Sequence, residues 1–218
     1  MVTARTLNEV VRGADAGVNH YLNPETMHPD IPEDGDLTAG ARSLVEFTGI
    51  TTIVAIGPFD DHAHAQQLAS AFITVRRHCE VHLVLLGTGR QRTAVKRQTS
   101  AQGVGSSVHV VGDSCDDRWS DLIAAADLVV LGSSSGTAML LDVLAAGRPV
   151  VAPADPATVQ LVVPGIVGLV YQPGDVSGMA EALLRLVTTP VLRHGMGGRA
   201  RQVARRHHRE KHRATTLR

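Results

Sequence analysis

An apolar run at 128–131 leads into Ser133-Ser134-Ser135-Gly136-Thr137, and a helical stretch then runs to a stop at Gly147. A strand that feeds a small-residue turn and then a helix aims unpaired backbone N–H groups and the positive end of a helix dipole at one spot. The chemistry expected at residues 133–137 is therefore recognition of an anion, a phosphate above all. One carboxylate, Asp142, rides on the helix that follows. Glycines close the neighbouring apolar runs: Gly57 after 51–56, Gly87 and Gly89 after 81–86, and Gly112 after 108–111. Glycine at successive turns lets a backbone approach a ligand closely. Asp60, Asp61, His62 and His64 are metal-binding types in a short span, but an Asp pair is also what a helix N-terminus stabilises. The helix start is the better reading, and no metal site and no cofactor is assigned.

The elements that must hold these turns follow from the period of the apolar residues. Runs suited to buried strands recur at 51–56, 81–86, 108–111, 128–131, 149–152 and 168–171. Helical segments separate most of them, at about 63–78, 91–102, 118–126 and 137–146, with a shorter turn near 158–163. Alternation of this kind predicts an α/β fold, a doubly wound parallel sheet covered on both faces. Ligands of such sheets sit beyond the carboxyl ends of the strands, where all the turns named above fall. Helices at 176–187 and from 190 to about 206 close the domain. The expected organisation is an irregular arm and linker helix over 1–50, one Rossmann-like domain over 51–192, and a basic helix or tail over 193–218.

With 218 residues, 44% hydrophobic and 19% charged, the chain can bury one full core, whereas two complete α/β domains would be hard to fit. Net charge is zero but unevenly spread. The last 26 residues hold nine Lys or Arg against one acidic residue, a net +8 that leaves −8 for the first 192. No aromatic residues interleave with that basic run, so nucleic-acid stacking has no support, and a solvated helix with weak membrane-surface or protein contact is expected. Met1 to Arg12 lack a long apolar run, no stretch nears the roughly 20 apolar residues of a membrane span, and Cys79 and Cys115 read as reduced thiols. The expected compartment is the cytoplasm, with the membrane periphery left open.

The segment from Ala126-Asp127 to Gly147-Arg148-Pro149-Val150-Val151 resembles the nucleotide-sugar half of GT-B glycosyltransferases, above all family 4, the glycosyl transferases group 1. Gly57, Gly87-Thr88-Gly89, Val108-x-Val110-x-Gly112, Gly165-x-x-Gly168-Leu169-Val170 and Pro173-Gly174-Asp175 follow that family's order and spacing. The resemblance implies the C-terminal half of a GT-B fold. It also implies a nucleotide-diphosphate sugar as donor substrate, bound at Gly57, Gly87, Gly89, Gly112, Ser133, Ser134, Ser135, Gly136, Thr137 and Asp142, with the ribose toward Asp142. An acceptor-binding domain or partner would complete the enzyme. The sequence departs from the family where Pro58 replaces the expected Arg and where Ser134 or Ser135 replaces the first Glu, and no catalytic residue is named. The alternative is a non-catalytic nucleotide-binding or protein-interaction module on the same scaffold.

Overall fold

The computed structural model describes residues 49–111, 119–132 and 135–216. The arm expected over 1–50 lies almost wholly outside the described residues, as do Gly112, Ser133, Ser134 and Cys115. Six strands, β1 (Thr51–Ile56), β2 (Val81–Leu86), β3 (Val108–Val111), β4 (Leu128–Leu131), β5 (Val150–Pro153) and β6 (Gly168–Tyr171), form one parallel sheet. Its order is β3-β2-β1-β4-β5-β6. The chain runs outward from β1 to β3, then returns to the other side of β1 and runs outward again. The reversal lies between β1 and β4.

Alternation along the strands divides the core in two. Ile53, Ala55, Leu83, Leu85, Leu128 and Val130 face one layer, packed by α1 (His62–His78), α2 (Arg92–Ala101) and α6 (Val176–Thr188). Val54, Ile56, Val84, Leu86, Val129 and Leu131 face the other, packed by α3 (Trp119–Ala125), α4 (Gly136–Ala145) and α7 (Pro190–Thr216). A short helix, α5 (Pro156–Leu161), follows β5. Both faces are covered by helices, which is why the strands read as mainly apolar runs and not alternating ones. No described helix is long and apolar enough to cross a membrane.

The basic C-terminal segment is part of this packing and runs ten residues beyond the expected end near 206. Met196 reaches the first core layer, and Ala200 and Ala204 the second. A Cβ on Gly197 would collide with the carbonyl of Gly147, so the small residue lets α7 close on the end of α4. Arg193, 8% exposed, donates from Nη1 to the carbonyls of Leu186 (3.0 Å) and Val187 (3.1 Å), satisfying the end of α6. Its Nη2 lies 3.4 Å from Asp127 Oδ1. Asp127 Oδ2 in turn accepts from the backbone N–H of Thr52 at 2.9 Å. The pair therefore ties α6 and α7 to the amino-terminal junction of β1 with β4. Removing one partner of a largely buried pair leaves the other charge uncompensated. Asp127→Ala is expected to lower unfolding stability by about 3 kcal/mol, read from urea midpoints at constant m.

A second polar feature joins β2 to β3. His82 Nδ1 and His109 Nε2 stand 3.0 Å apart with ring centroids at 5.2 Å, so one ring donates and the other accepts. Burial lowers the pKa of His82, helped by Arg76 and opposed by Glu80. Burial, with His82 and Lys96 beside it, pushes His109 down to about 4. The unfolded chain binds protons on these rings more readily than the folded one. Their contribution is therefore intact above pH 6.5 and is lost as the pH falls from 6.5 toward 4. His109→Asn should be less stable than the parent at pH 7, and the gap in urea midpoint should narrow by pH 5. A gap that is constant with pH would show that the pair does not titrate on folding.

Candidate functional site

At the carboxyl edge of β1 and β4, two turns face each other. The β1 turn is laced to its neighbour: Gly57 N donates to Leu86 O and Phe59 N to Thr88 O (both 2.8 Å), and Gln91 N donates to Phe59 O (2.9 Å). Phe59, 1% exposed, plugs the turn into the core. Gly87 and Gly89 adopt φ of +118° and +117°, and a Cβ on Gly89 would stand 2.5 Å from the Phe59 carbonyl. The close approach these two glycines permit is thus to the β1 turn. A Cβ on Gly57 would meet the Phe59 ring at 2.7 Å. These three sequence-selected glycines come together at one edge. Trp119, at the start of α3, lies beside them, and its buried indole N–H has no partner among the described residues.

The β4 turn opens α4. Ser135 is its N-cap, but its side chain makes no cap bond; Oγ accepts instead from Gly132 N at 3.1 Å, and Ser135 N donates to Gly132 O at 3.1 Å. Gly136 begins the helix at φ +69°, and Gly136, Thr137 and Ala138 are exposed. Three other helices at this edge differ. Asp61 caps α1 through Ala63 N and His64 N, Asp155 caps α5 through Thr158 N, and Asp175 caps α6 through Gly178 N. Each of these carboxylates occupies the N–H groups of its own helix. The N-terminus of α4 has no such carboxylate, so its orphan donors and dipole face the crevice.

Asp142 stands six residues beyond Gly136 on α4 and is half-buried. Of the group Asp60, Asp61, His62 and His64, Asp61 is a helix cap, as the sequence pattern suggested. His62 Nδ1 meets Gln91 Oε1 at 3.1 Å, and Asp60 is exposed. Among the described residues no group of three or more His, Cys, Asp or Glu is placed to hold a metal ion.

Three side chains here make contacts that the sequence did not suggest. His64, 9% exposed, lies under the β4 turn, and a Cβ on Gly132 would come 2.9 Å from its Nε2. Its Nδ1 is 3.4 Å from Tyr171 Oη, and that hydroxyl donates to Leu131 O at 3.1 Å. Burial lowers the His64 pKa against an opposing pull from Asp61. Burial, with Asp155 and Asp61 nearby, holds the Tyr171 phenol well above its usual range. Gln67, one turn along α1, donates to the carbonyls of Gln172 (3.2 Å) and Asp175 (2.8 Å) and accepts from Gly174 N (3.0 Å), fixing the turn after β6. Spacing in a single sequence carries no sign of these contacts, which span from 40 to 108 residues.

The chain matches the family described as glycosyl transferases group 1 over residues 50–189. It is 25% identical over 206 residues to an alpha-D-kanosaminyltransferase of Streptomyces kanamyceticus, covering 92% of this chain and 53% of that protein. HepE of Anabaena, solved with UDP and glucose, superposes with a TM-score of 0.68 at 17% identity, over 84% of this chain and 52% of that one. A C-terminal domain of a group 1 glycosyl transferase from Francisella tularensis gives 0.67 at 17% identity, over 78% of this chain and 91% of that domain. The chain thus spans about half the length of the first two proteins and most of the third.

Because the Gly132 backbone is one any residue adopts, Gly132→Ala should act through the collision alone. It should cost on the order of 1–3 kcal/mol and displace the His64 ring. An unchanged urea midpoint, with His64 unchanged by NMR, would show that the ring is not held against the turn.

Proposed function

The chain belongs to the glycosyl transferases group 1 family, and we propose that it is the donor half of such an enzyme, binding a nucleotide-diphosphate sugar at the crevice between β1 and β4. The observation that carries the reading is the N-terminus of α4, exposed and without an acidic cap at the point where strand order reverses. In this reading the diphosphate docks at the Ser135 turn on the N–H groups of Gly136 and Thr137 near Gly57, and the ribose lies toward Asp142. In transfer, the helix dipole would stabilise the diphosphate as it leaves. The acceptor and the remaining catalytic groups would come from a partner domain or chain. The exposed arginines of α7 offer a weak contact to an anionic membrane surface.

A second reading, a binding module without turnover, draws on one feature. Among the described residues, the turns after β1 and β4 hold no Lys or Arg, whereas Asp60 and Asp61 stand there. Mixing the chain with radiolabelled nucleotide sugars and simple acceptors should give no transfer by the chain alone, and single-chain turnover would overturn the half-enzyme reading.

Calorimetric titration of nucleotide sugars tests the site itself. Thr137→Glu puts a carboxylate in the first turn of α4, which favours the helix and repels a diphosphate. It should leave thermal stability unchanged or slightly higher and weaken binding at least tenfold. Asp142→Asn should weaken binding by about 1–3 kcal/mol, through loss of a charged acceptor for a ribose hydroxyl. Binding unaffected by Thr137→Glu would remove the phosphates from α4.

A further inference from the structure

We propose that His64 is the cationic contact for the ligand's diphosphate: as the anion docks, Nε2 takes one proton from solvent and donates it as a charged hydrogen bond to a phosphate oxygen. The inference rests on the donor-site reading above. Its starting point is a relay that fixes the ring. Because the Tyr171 hydroxyl gives its proton to Leu131 O, its oxygen accepts, and His64 Nδ1 carries the hydrogen that points to it. In the neutral ring Nε2 is then the nitrogen with the lone pair. It has no hydrogen-bond partner among the described residues, in a side chain that is more than nine-tenths buried. It lies against Gly132, the residue bonded to the N-cap of α4, and so faces the turn whose N–H groups await an anion.

A lone pair beside a phosphate repels, whereas a proton on the same atom attracts. The relay already accommodates the imidazolium, since Nδ1 keeps its acceptor in both states. The charged and titratable groups around the ring are few. Asp61 faces it from the N-terminus of α1, and Tyr171 from β6. Asp61 and Asp155, the latter from the N-cap of α5, both act on Tyr171. The carboxylate of Asp175, at the N-cap of α6, is bonded to Gly178 N. Gly57 from the β1 turn and Gly132 and Ser135 from the β4 turn carry no charge. Arg92 of α2 is tied down, donating to Gly89 O at 3.2 Å and Gly87 O at 2.6 Å. Burial keeps the ring neutral in the free protein at neutral pH, and a phosphate charge at Nε2 works in the opposite direction. Binding and protonation are thereby coupled.

The experiment is calorimetry of the whole chain with UDP-glucose and with GDP-mannose, whose phosphodiester charges do not change near neutral pH. Titrations at pH 7 in Tris and in PIPES, buffers of different ionisation enthalpy, count the protons taken up. The expected result is uptake approaching one proton per ligand and, by linkage, affinity that rises by about tenfold or more from pH 8 to pH 6.5. His64→Gln keeps a donor but cannot titrate; it should abolish the uptake, flatten the pH profile and weaken binding at pH 6.5 about tenfold. NMR titration of His64 in the free and bound parent gives a second readout that needs no variant, and its pKa should rise on binding. Binding without proton uptake, with no shift in the His64 titration, would overturn the inference and leave the donor site standing. Failure of both nucleotide sugars to bind at any pH would overturn both.

Discussion

The pairing of β1 with β4 is the contact on which the rest of the structure depends. It is the one place where neighbouring strands are separated in sequence by two whole strand-helix units, and it puts the turn after Ile56 opposite the turn after Leu131. At the other end of the same pair, Asp127 accepts from the Thr52 N–H, and Arg193 holds Asp127 while satisfying the last carbonyls of α6. An irregular join at the amino edge is thus stabilised by one charged cluster. The carboxyl edge is left free of that duty, and its turns can expose N–H groups without weakening the sheet.

Electrostatics at the carboxyl edge are set by which helices cap themselves. Asp61, Asp155 and Asp175 quench the N-termini of α1, α5 and α6, and each also makes its own turn unattractive to an anion. Ser135 directs its oxygen away from α4 toward Gly132. A diphosphate approaching the crevice between β1 and β4 meets the uncapped N-terminus of α4 among the acidic caps of α1, α5 and α6, and α2 likewise starts without an acidic cap. Affinity at such a site depends strongly on any further positive charge, which is why the protonation state of a single imidazole carries weight here.

Much of this was legible in the sequence. Five of the six strands begin and end where their apolar runs do, and β5 is displaced by a single residue, because a parallel strand covered on both faces must be mainly apolar. The positions of Gly57, Gly87 and Gly89 at strand ends were legible too, but their use was not. The atoms a Cβ would meet at Gly89 belong to Phe59, thirty residues away, and only the assembled turns reveal it. The length of α7 was missed because its Arg-rich second half lacks the apolar period that marks a packed helix, although Ala200 and Ala204 are small enough to sit against the core. The contacts of His64, Tyr171 and Gln67 were out of reach for a related reason. A polar residue whose partner lies a hundred residues away leaves no local pattern.

Fold and chemistry are separable in this chain for a physical reason. The residues that hold the sheet are chiefly apolar side chains inside its two layers and a charged cluster at the amino edge, with Phe59 anchoring the β1 turn to the first layer. The turns that border the crevice are held mainly by backbone bonds, such as Gly57 N to Leu86 O and Phe59 N to Thr88 O, which are indifferent to most side chains. Pro58 gives up no N–H that the turn uses, since the bonds on either side come from Gly57 and Phe59. Substitution at the exposed positions of these turns, such as Asp60, therefore alters the charge facing a ligand at little cost to stability, whereas Gly57, Gly89 and Gly132 have no room for a side chain. Pro58 stands where the family resemblance leads one to expect an Arg, and the chain folds as its relatives do. What it must then supply, if it binds a diphosphate, is positive charge from a position the fold already buries and orients, and His64 stands at such a position.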